Sequence, residues 1–181
     1  MAEVTSYTIG TDMNNKDAVF AASILKKELY RRTGIEFILS HSGAIQVSIN
    51  KKHSPAPEGY MLKASGGKVT IIGFDKLGAI YGSGKFLREC RWGRGFLDIK
   101  DLVISCSPQK YLRGCQLGYR NKTNAYIAWD KPTYAQYLTD LALFGANSVE
   151  FLPGRTDDTE ISPVMKYHSF DMLSYTVNFA H

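Results

Sequence analysis

The sequence predicts an α+β fold, with a mainly antiparallel sheet carrying helices, followed by a region of strand–helix–strand order. Three observations lead to this prediction. Residues 1–108 interleave two helical patterns with several short strand patterns, and a glycine pair separates two of those strands. From residue 111 onward, a strand, a helix and a second strand follow in turn. We therefore divide the chain into residues 1–108 and 109–181.

The composition is that of a folded protein. Of the 181 residues, 44% are hydrophobic and 12% are aromatic, which suffices for a core and is untypical of disorder. No apolar run is long enough to span a bilayer. We therefore expect a globular protein without a membrane span.

Two helices are predicted in residues 1–108. The asparagines at 14–15 can cap the first, which extends to about Arg32, and Gly34 is a typical helix stop. Asp75 can cap the second, which extends to about Cys90. In both helices the apolar residues recur at helical spacing, so each is expected to bury one face.

The glycine-rich segment 78–85 lies inside the second predicted helix. It superficially resembles a phosphate-binding loop, but that pattern requires Ser or Thr after Gly-Lys, and here Phe86 follows Lys85. We therefore assign its small residues to close helix–sheet packing.

The strands of this first region are short. Residues 59–64 and 68–73 flank the pair Gly66-Gly67, a pattern that predicts a hairpin with a two-residue turn. Residues 91–100 are interpreted as a loop around Trp92. Further strands are predicted at 6–10, 36–40, 44–50 and 102–105. From the order of these elements we expect a mainly antiparallel sheet with the two helices packed on it.

The second region predicts one complete βαβ unit. Residues 112–117 form a strand, Asp130 and Pro132 begin a helix that Gly145 ends, and residues 148–152 form a second strand. The two strands are expected to be parallel, with a right-handed crossover. A third helix is predicted from residue 169, and its pattern breaks off at the last residue, which we interpret as truncation.

Metal, cofactor and nucleic-acid functions are not indicated. The three cysteines lack a CxxC spacing, and the four histidines lack metal-ligand spacing. Residues 1–110 carry 16 basic against 10 acidic residues, a net charge of +6, whereas residues 111–181 carry 6 against 7. The basic residues are scattered and no nucleic-acid motif is present, so a solvated surface is the favoured interpretation. A basic nucleic-acid-binding domain is kept as a third hypothesis.

Two charged residues lie within predicted strands of the second region. Arg113 is flanked by apolar residues, and Glu150 occupies the corresponding kind of position in the second strand. Each could form a structural ion pair or bind a ligand hydroxyl, and the residues favour neither.

Loop residues provide further candidate substrate contacts. Asp157 and Asp158 follow the second strand, where α/β folds place their sites, although a solvated loop is the more ordinary interpretation. Tyr119 and Trp129 offer rings for stacking, and Arg120 lies beside Tyr119. No local spacing supports a catalytic pair or triad, so no catalytic residue is assigned.

Residues 4–108 resemble the small α+β domain that precedes the catalytic barrel in family 20 β-hexosaminidases. The resemblance rests on segments 31–34, 59–63, 68–75 and 77–87. Segments 112–120, 130–147 and 149–154 resemble the first barrel strand with its Arg-Gly motif, the first barrel helix and the second strand. The amino-acid sequences of segments 116–120 and 151–155 are closer to those of α-glucuronidase-like hydrolases of gut Bacteroidetes.

This resemblance implies an unfinished (β/α)₈ barrel, since a complete one takes about 250 residues. It also implies that Arg113 binds sugar hydroxyls, and that the family's catalytic Asp-Glu pair lies on a later strand, outside this chain. We therefore expect the N-terminal part of a periplasmic or extracellular glycoside hydrolase acting in polysaccharide degradation. Its partner is an oligosaccharide or polysaccharide, and the chain alone is expected to be inactive. The alternative is a non-catalytic carbohydrate-binding or scaffold module.

Overall fold

The computed structural model describes residues 2–4, 6–52, 56–117, 129–151 and 169–181. The chain divides into two compact units. The first comprises Met1–Tyr111 together with Ala142–Gly145, and the second comprises Leu112–Leu141 together with Ala146–His181. Each unit is considered by itself, and the predicted domain boundary at 108 stays a prediction.

The first unit contains two helices and two sheets within its described residues. The helices are α1 (Lys16–Thr33) and α2 (Lys76–Glu89). The strands are β1 (Ala2–Glu3), β2 (Thr8–Thr11), β3 (Ile38–Ser40), β4 (Ile45–Ile49), β5 (Tyr60–Ser65), β6 (Lys68–Gly73), β7 (Arg91–Gly93), β8 (Phe96–Ile99) and β9 (Leu102–Cys106). The main sheet has the order β3-β2-β4-β6-β5-β9, and a small sheet has the order β1-β8-β7.

The prediction of a mainly antiparallel sheet is wrong. Strands β2, β3, β4 and β6 are mutually parallel, and β5 pairs antiparallel with both β6 and β9. Five strands of the main sheet therefore run in one direction and β5 runs in the other. Alternation of apolar and polar residues reports which face of a strand is buried but not its direction, so the sequence pattern could not settle this point.

The hairpin predicted around the glycine pair is confirmed. Strands β5 and β6 pair in register up to Ser65 opposite Lys68. Both turn residues have positive φ, 56° at Gly66 and 78° at Gly67. A two-residue turn with positive φ at both positions matches the twist of the strands, and glycine adopts it without steric cost.

A second hairpin lies where a loop was predicted. Strands β7 and β8 pair antiparallel, with Gly93 opposite Phe96. The signal was present in the alternation of Leu97 and Ile99, which are both buried. The segment is short and rich in arginine and glycine, which obscures this alternation in the sequence.

The caps predicted for the two helices are confirmed. The Asn15 side chain accepts hydrogen bonds from the backbone N–H groups of Asp17 and Ala18 at 3.1 and 3.2 Å. At the other end of α1, the Gly34 N–H donates to the carbonyl oxygen of Tyr30 at 2.8 Å. Asp75 caps α2 by accepting from the Gly78 N–H at 2.7 Å. These bonds satisfy backbone groups that a helix end leaves without partners.

Close packing explains the glycines of α2, as the sequence predicted. A methyl group at Gly78 would lie 2.0 Å from the carbonyl oxygen of Gly59, and one at Gly82 would lie 2.7 Å from Cγ2 of Ile71. One at Gly84 would lie 1.9 Å from the carbonyl oxygen of Leu143. The glycine-rich segment is therefore a packing surface.

One layer of core lies between the main sheet and the helices. Helix α1 contacts β2, β3 and β4, helix α2 contacts β4, β5 and β6, and the helices contact each other. They therefore lie side by side on one face of the sheet. The largest fully buried apolar side chains are Phe37, Phe86, Ile9, Leu25, Leu29, Ile45, Leu62, Ile71, Leu97, Ile99 and Val4.

The second unit contains the strand–helix–strand order that the sequence predicts. Strand β10 (Gly114–Leu117) pairs parallel with β11 (Ser148–Phe151), and α3 (Lys131–Leu143) lies between them in the chain. Helix α4 (Ser169–Ala180) begins where the third helix was predicted. The hand of the crossover and the assignment to a barrel stay predictions.

Candidate functional site

The pair β10–β11 has two chemically different faces. Gln116 lies opposite Glu150 in the register, and both side chains are exposed. On the alternate positions, Leu117 lies opposite Phe151, and Leu117 is buried. Because successive side chains of a strand point to opposite faces, Gln116 and Glu150 share one face of the pair.

Gln116 and Glu150 form a hydrogen-bonded pair across the two strands. The Gln116 Nε2 donates to Oε2 of Glu150 at 3.2 Å. An amide partner leaves the charge of the carboxylate uncompensated. Within the part of the chain that the structure describes, the ion pair considered for Glu150 is not observed. Sequence reasoning missed Gln116 because its role depends on the register of the two strands.

Arg113 lies just before β10 and not inside it, so the strand predicted over 112–117 begins later than expected. The Arg113 N–H donates to Oδ1 of Asn147 at 2.9 Å. Its carbonyl oxygen accepts from the N–H groups of Asn147 and Ser148 at 2.8 and 3.2 Å. Because the Asn147 side chain takes the Arg113 N–H, the regular strand pairing starts only at Gly114.

These three hydrogen bonds, which we call the Arg113–Asn147 clasp, fix where the two strands begin. Arg113 itself is half-buried. Asn147 was missed as a positioning residue, although an asparagine between a helix stop and a strand is a common local bonding partner for backbone groups. Whether the Arg113 side chain serves an ion pair or a sugar stays a prediction.

Trp129 belongs to an aromatic cluster at the start of α3. Its ring centroid lies 5.3 Å from that of Tyr134 and 5.1 Å from that of Tyr137, with interplanar angles of 72° and 57°. The next residue, Asp130, caps the helix by accepting from the N–H and Oγ1 of Thr133 at 3.0 and 2.6 Å. Trp129 is half-buried, so its ring is held by the helix while part of it faces solvent.

Four of the predicted contact residues lie outside the described residues. They are Tyr119, Arg120, Asp157 and Asp158. Two other predicted residues lie in described segments and have a partner there: Glu150 pairs with Gln116, and Arg113 pairs with Asn147. The convergence of the loop residues on either pair stays a prediction.

Among the described residues, the most strongly shifted pKa values lie in the first unit. Burial raises the pKa of Tyr60 to about 12, with a further contribution from the Cys106 thiol. Burial, followed by the charges of Glu89 and Asp98, raises the pKa of Cys90 to about 12. Burial also lowers the pKa of Arg88. For Tyr60 and Cys90, burial is the main cause, so these two shifts reflect packing rather than a catalytic arrangement.

Among the residues that the structure describes, no group of His, Cys, Asp or Glu side chains is arranged to hold a metal ion. None of the helices in this same part of the chain has the length and apolar character needed to cross a membrane.

The fold is similar to that of family 20 (GH20) glycoside hydrolases, so the predicted resemblance is confirmed at the level of fold. No family model and no curated protein matches the sequence. Among solved structures, the GH20 exo β-N-acetylglucosaminidase of Vibrio harveyi matches with a TM-score of 0.68 and 17% identity, over 83% of this chain and 23% of that one. The N-acetyl-β-hexosaminidase of Streptomyces plicatus matches with a TM-score of 0.68 and 18% identity, over 84% and 31%.

A GH138 enzyme targeting pectin rhamnogalacturonan II also matches, with a TM-score of 0.62 and 17% identity, over 96% of this chain and 23% of that one. At these identities the likeness shows the fold alone. The chain spans about a quarter to a third of the length of these enzymes. The likeness to α-glucuronidase-like hydrolases and the Bacteroidetes origin stay predictions.

Proposed function

We propose that the chain is the N-terminal part of a carbohydrate-active glycoside hydrolase. Residues 1–108 form the accessory α+β domain that supports the catalytic barrel, and residues 109–181 provide the first barrel units. The observation that carries this proposal is the share of each protein over which the structural likeness extends. The GH20 likeness extends over 83–84% of this chain but only 23–31% of the solved enzymes.

The parallel pair supports a place in a larger sheet. Parallel strands normally lie in sheets that are covered on both faces, and β10–β11 exposes the face that carries Gln116 and Glu150. In a (β/α)₈ barrel, alternate strand residues point into the barrel, and the carboxyl ends of the strands carry the site. Glu150 therefore belongs to the strand residues that point into the barrel, and it lies near the carboxyl end of β11, where barrels carry the site.

For Arg113 the proposal keeps the role that the resemblance implies, contact with sugar hydroxyls. The clasp with Asn147 supports it, because it fixes the backbone from which the guanidinium extends. Against this role, Arg113 lies at the amino end of β10, whereas barrels build their sites at the carboxyl ends. Because these two observations point in opposite directions, substitution of Arg113 tests the assignment.

The first experiment compares the 181-residue chain with the protein encoded by its extended reading frame on a panel of aryl-glycosides. We expect no turnover by the 181-residue chain and clear turnover by the longer protein. Deleting residues 1–108 from the longer protein should lower its melting temperature and its activity together. Robust turnover by the 181-residue chain would overturn the proposal.

A second candidate function is non-catalytic carbohydrate binding, favoured by the half-exposed ring of Trp129 in its aromatic cluster. Calorimetry with chito-oligosaccharides tests it. Trp129→Ala should abolish any binding, whereas Trp92→Ala, at an exposed tryptophan of the first unit, should leave it intact. Equal loss with both variants would contradict a site at Trp129.

The proposal also places the protein outside the cytoplasm, because polymeric glycans are degraded there before uptake. Fractionation of the source cells tests this location. Recovery of the protein in the cytoplasmic fraction would contradict it.

A further inference from the structure

A groove of about 270 Å³ lies on the exposed side of α1, in the first unit. Its residues are distant in the sequence from β10 and β11. It is lined by Ser23, Lys26, Lys27, Tyr30 and Glu36. The four helical residues follow the i, i+3, i+4, i+7 spacing of one helix face, and Glu36 comes from the segment that follows the helix. The groove therefore combines one aromatic ring with charged and hydroxyl groups.

The lysines of this groove have no counter-ion among the described residues. Within the described part of the chain, neither Lys26 nor Lys27 forms an ion pair, and Glu36 also has none. By contrast, Arg31 and Arg32 on the same helix share the buried Glu28, at 2.8 and 3.2 Å. The groove thus has two available cations against one carboxylate, on a region whose net charge is +6.

Tyr30 gives the groove an open apolar surface. Its side chain is 58% exposed. Aromatic rings present an apolar face together with a polar hydroxyl, a combination that suits ligands having both an apolar face and hydroxyl groups. A pyranose has this character, because the C–H groups on one side of its ring form an apolar face.

We propose that this groove is a non-catalytic subsite for a carboxylate-bearing sugar, a uronic acid residue of an acidic polysaccharide. The inference rests on the proposed carbohydrate-active function and adds a substrate class to it. The Tyr30 ring stacks on the sugar, and the ammonium groups of Lys26 and Lys27 pair with the sugar carboxylate. Glu36 and the Ser23 hydroxyl bind sugar hydroxyls.

The size and charge of the groove favour this occupant. Its volume of about 270 Å³ lies just below the range of ligand pockets, about 300–1,000 Å³, and it therefore fits about one sugar ring. A nucleic acid presents one phosphate per nucleotide, which favours a long cationic stripe with several stacking rings. Here the lining has one ring and two neighbouring lysines, which do not make such a stripe.

The test is calorimetry of the 181-residue chain with tetragalacturonate, set against cellotetraose as a neutral sugar of equal length. Poly-L-glutamate and a single-stranded oligonucleotide serve as polyanions that are not uronates. We expect saturable binding of tetragalacturonate, weakened by salt, and no binding of cellotetraose at the same concentration. Equal or tighter binding of poly-L-glutamate or of the oligonucleotide would overturn the proposal, because charge alone would then explain the result.

Substitutions locate the site. The double variant K26Q/K27Q should bind tetragalacturonate about fivefold to tenfold more weakly, since two exposed ion pairs are lost. The matched control K51Q/K52Q removes the same charge from another exposed lysine pair and should leave the affinity unchanged. Equal weakening by both double variants would place the binding elsewhere.

A ring variant separates stacking from charge. Tyr30→Ala should weaken binding about tenfold, and Tyr30→Phe should retain most of it, because the ring face persists. Unchanged affinity of Tyr30→Ala would overturn the site, provided its melting temperature matches that of the wild type. Failure of these assays leaves the barrel proposal intact, because that proposal is tested by turnover of the extended protein.

Discussion

The Arg88 guanidinium donates a hydrogen bond of 2.7 Å to the backbone oxygen of Leu143, 55 positions later in the chain. Both residues belong to the first unit. The same guanidinium lies 4.7 Å from the ring centroid of Phe144. A cation on the last carbonyl groups of a helix is favourable for the helix dipole, so Arg88 stabilises the end of α3.

Arg88→Ala should therefore destabilise the fold by about 1–2 kcal/mol, the range for a hydrogen bond to a charged group together with a cation–π contact. Urea denaturation followed by circular dichroism measures the loss. Amide hydrogen exchange should accelerate at residues 143–146. Arg88→Lys, which keeps a cation, should lose less, and an equal loss would contradict the role assigned to the charge.

Gly84→Ala should destabilise the same region by about 2–3 kcal/mol. The new methyl group would lie 1.9 Å from the Leu143 oxygen, so backbone must move, and this cost exceeds the gain in helix propensity. The matched control is Gly66→Asn, at a turn position where an added Cβ would have no neighbour within 4 Å. Asn-Gly suits this turn, so the control should change the stability little. Thermal denaturation compares the two.

Glu28→Gln should cost about 2–3 kcal/mol. Glu28 is fully buried and accepts from both Arg31 and Arg32, so removing its charge leaves two guanidinium groups without their counter-ion. The estimate lies below the usual cost of breaking a buried pair because the Arg31 side chain is 45% exposed. Arg31→Ala should cost less, since Arg32 still neutralises the carboxylate. Chemical denaturation at neutral pH measures both variants.

Stability should fall as the pH rises from about 9 to 12. In the folded state the pKa of Cys90 is raised from 9.0 to about 12, and that of Tyr60 from 10.0 to about 12. Above pH 9 the unfolded chain loses these protons while the folded chain keeps them, so alkaline pH favours unfolding. Melting temperatures across this range test the trend. Tyr60→Phe should show a shallower decline than the wild type, and an unchanged slope would contradict the assignment to Tyr60.

Asn147→Ala should weaken the alignment of β10 with β11 by about 1 kcal/mol, the value of one hydrogen bond. Asn147→Asp keeps the accepting oxygen and should retain most of the stability. In the longer enzyme that we propose, Arg113→Ala should lower kcat/KM far more than Asn147→Ala, because only the former removes the guanidinium. Similar losses in both variants would indicate that Arg113 acts through the backbone alone.

Local features of the fold were predictable from the sequence because short-range chemistry determines them. The caps at Asn15 and Asp75 depend on side chains within three positions, and the Gly66-Gly67 turn depends on two residues. Burial of one face of each helix also follows from spacing alone. These features required no knowledge of distant parts of the chain.

The direction and pairing of the strands were not predictable in the same way. Gln46 and Thr70 are paired neighbours in β4 and β6, although β5 lies between them in the sequence. The contact of Gln116 with Glu150 spans 34 positions. Both depend on which strands meet, and this is decided by the packing of the whole sheet. The candidate site was therefore found as separate residues, and its geometry required the structure.

The hairpin β5–β6 gives the main sheet a definite starting point for folding. It is the one pairing in that sheet, within the described residues, between strands that follow one another directly without an intervening helix or strand. A hairpin of this kind forms in about 1–10 μs, whereas distant strands must first close long loops. Strand β6 then offers an edge to β4 and β5 offers one to β9. The single reversed strand therefore allows a largely parallel sheet to begin from a local contact.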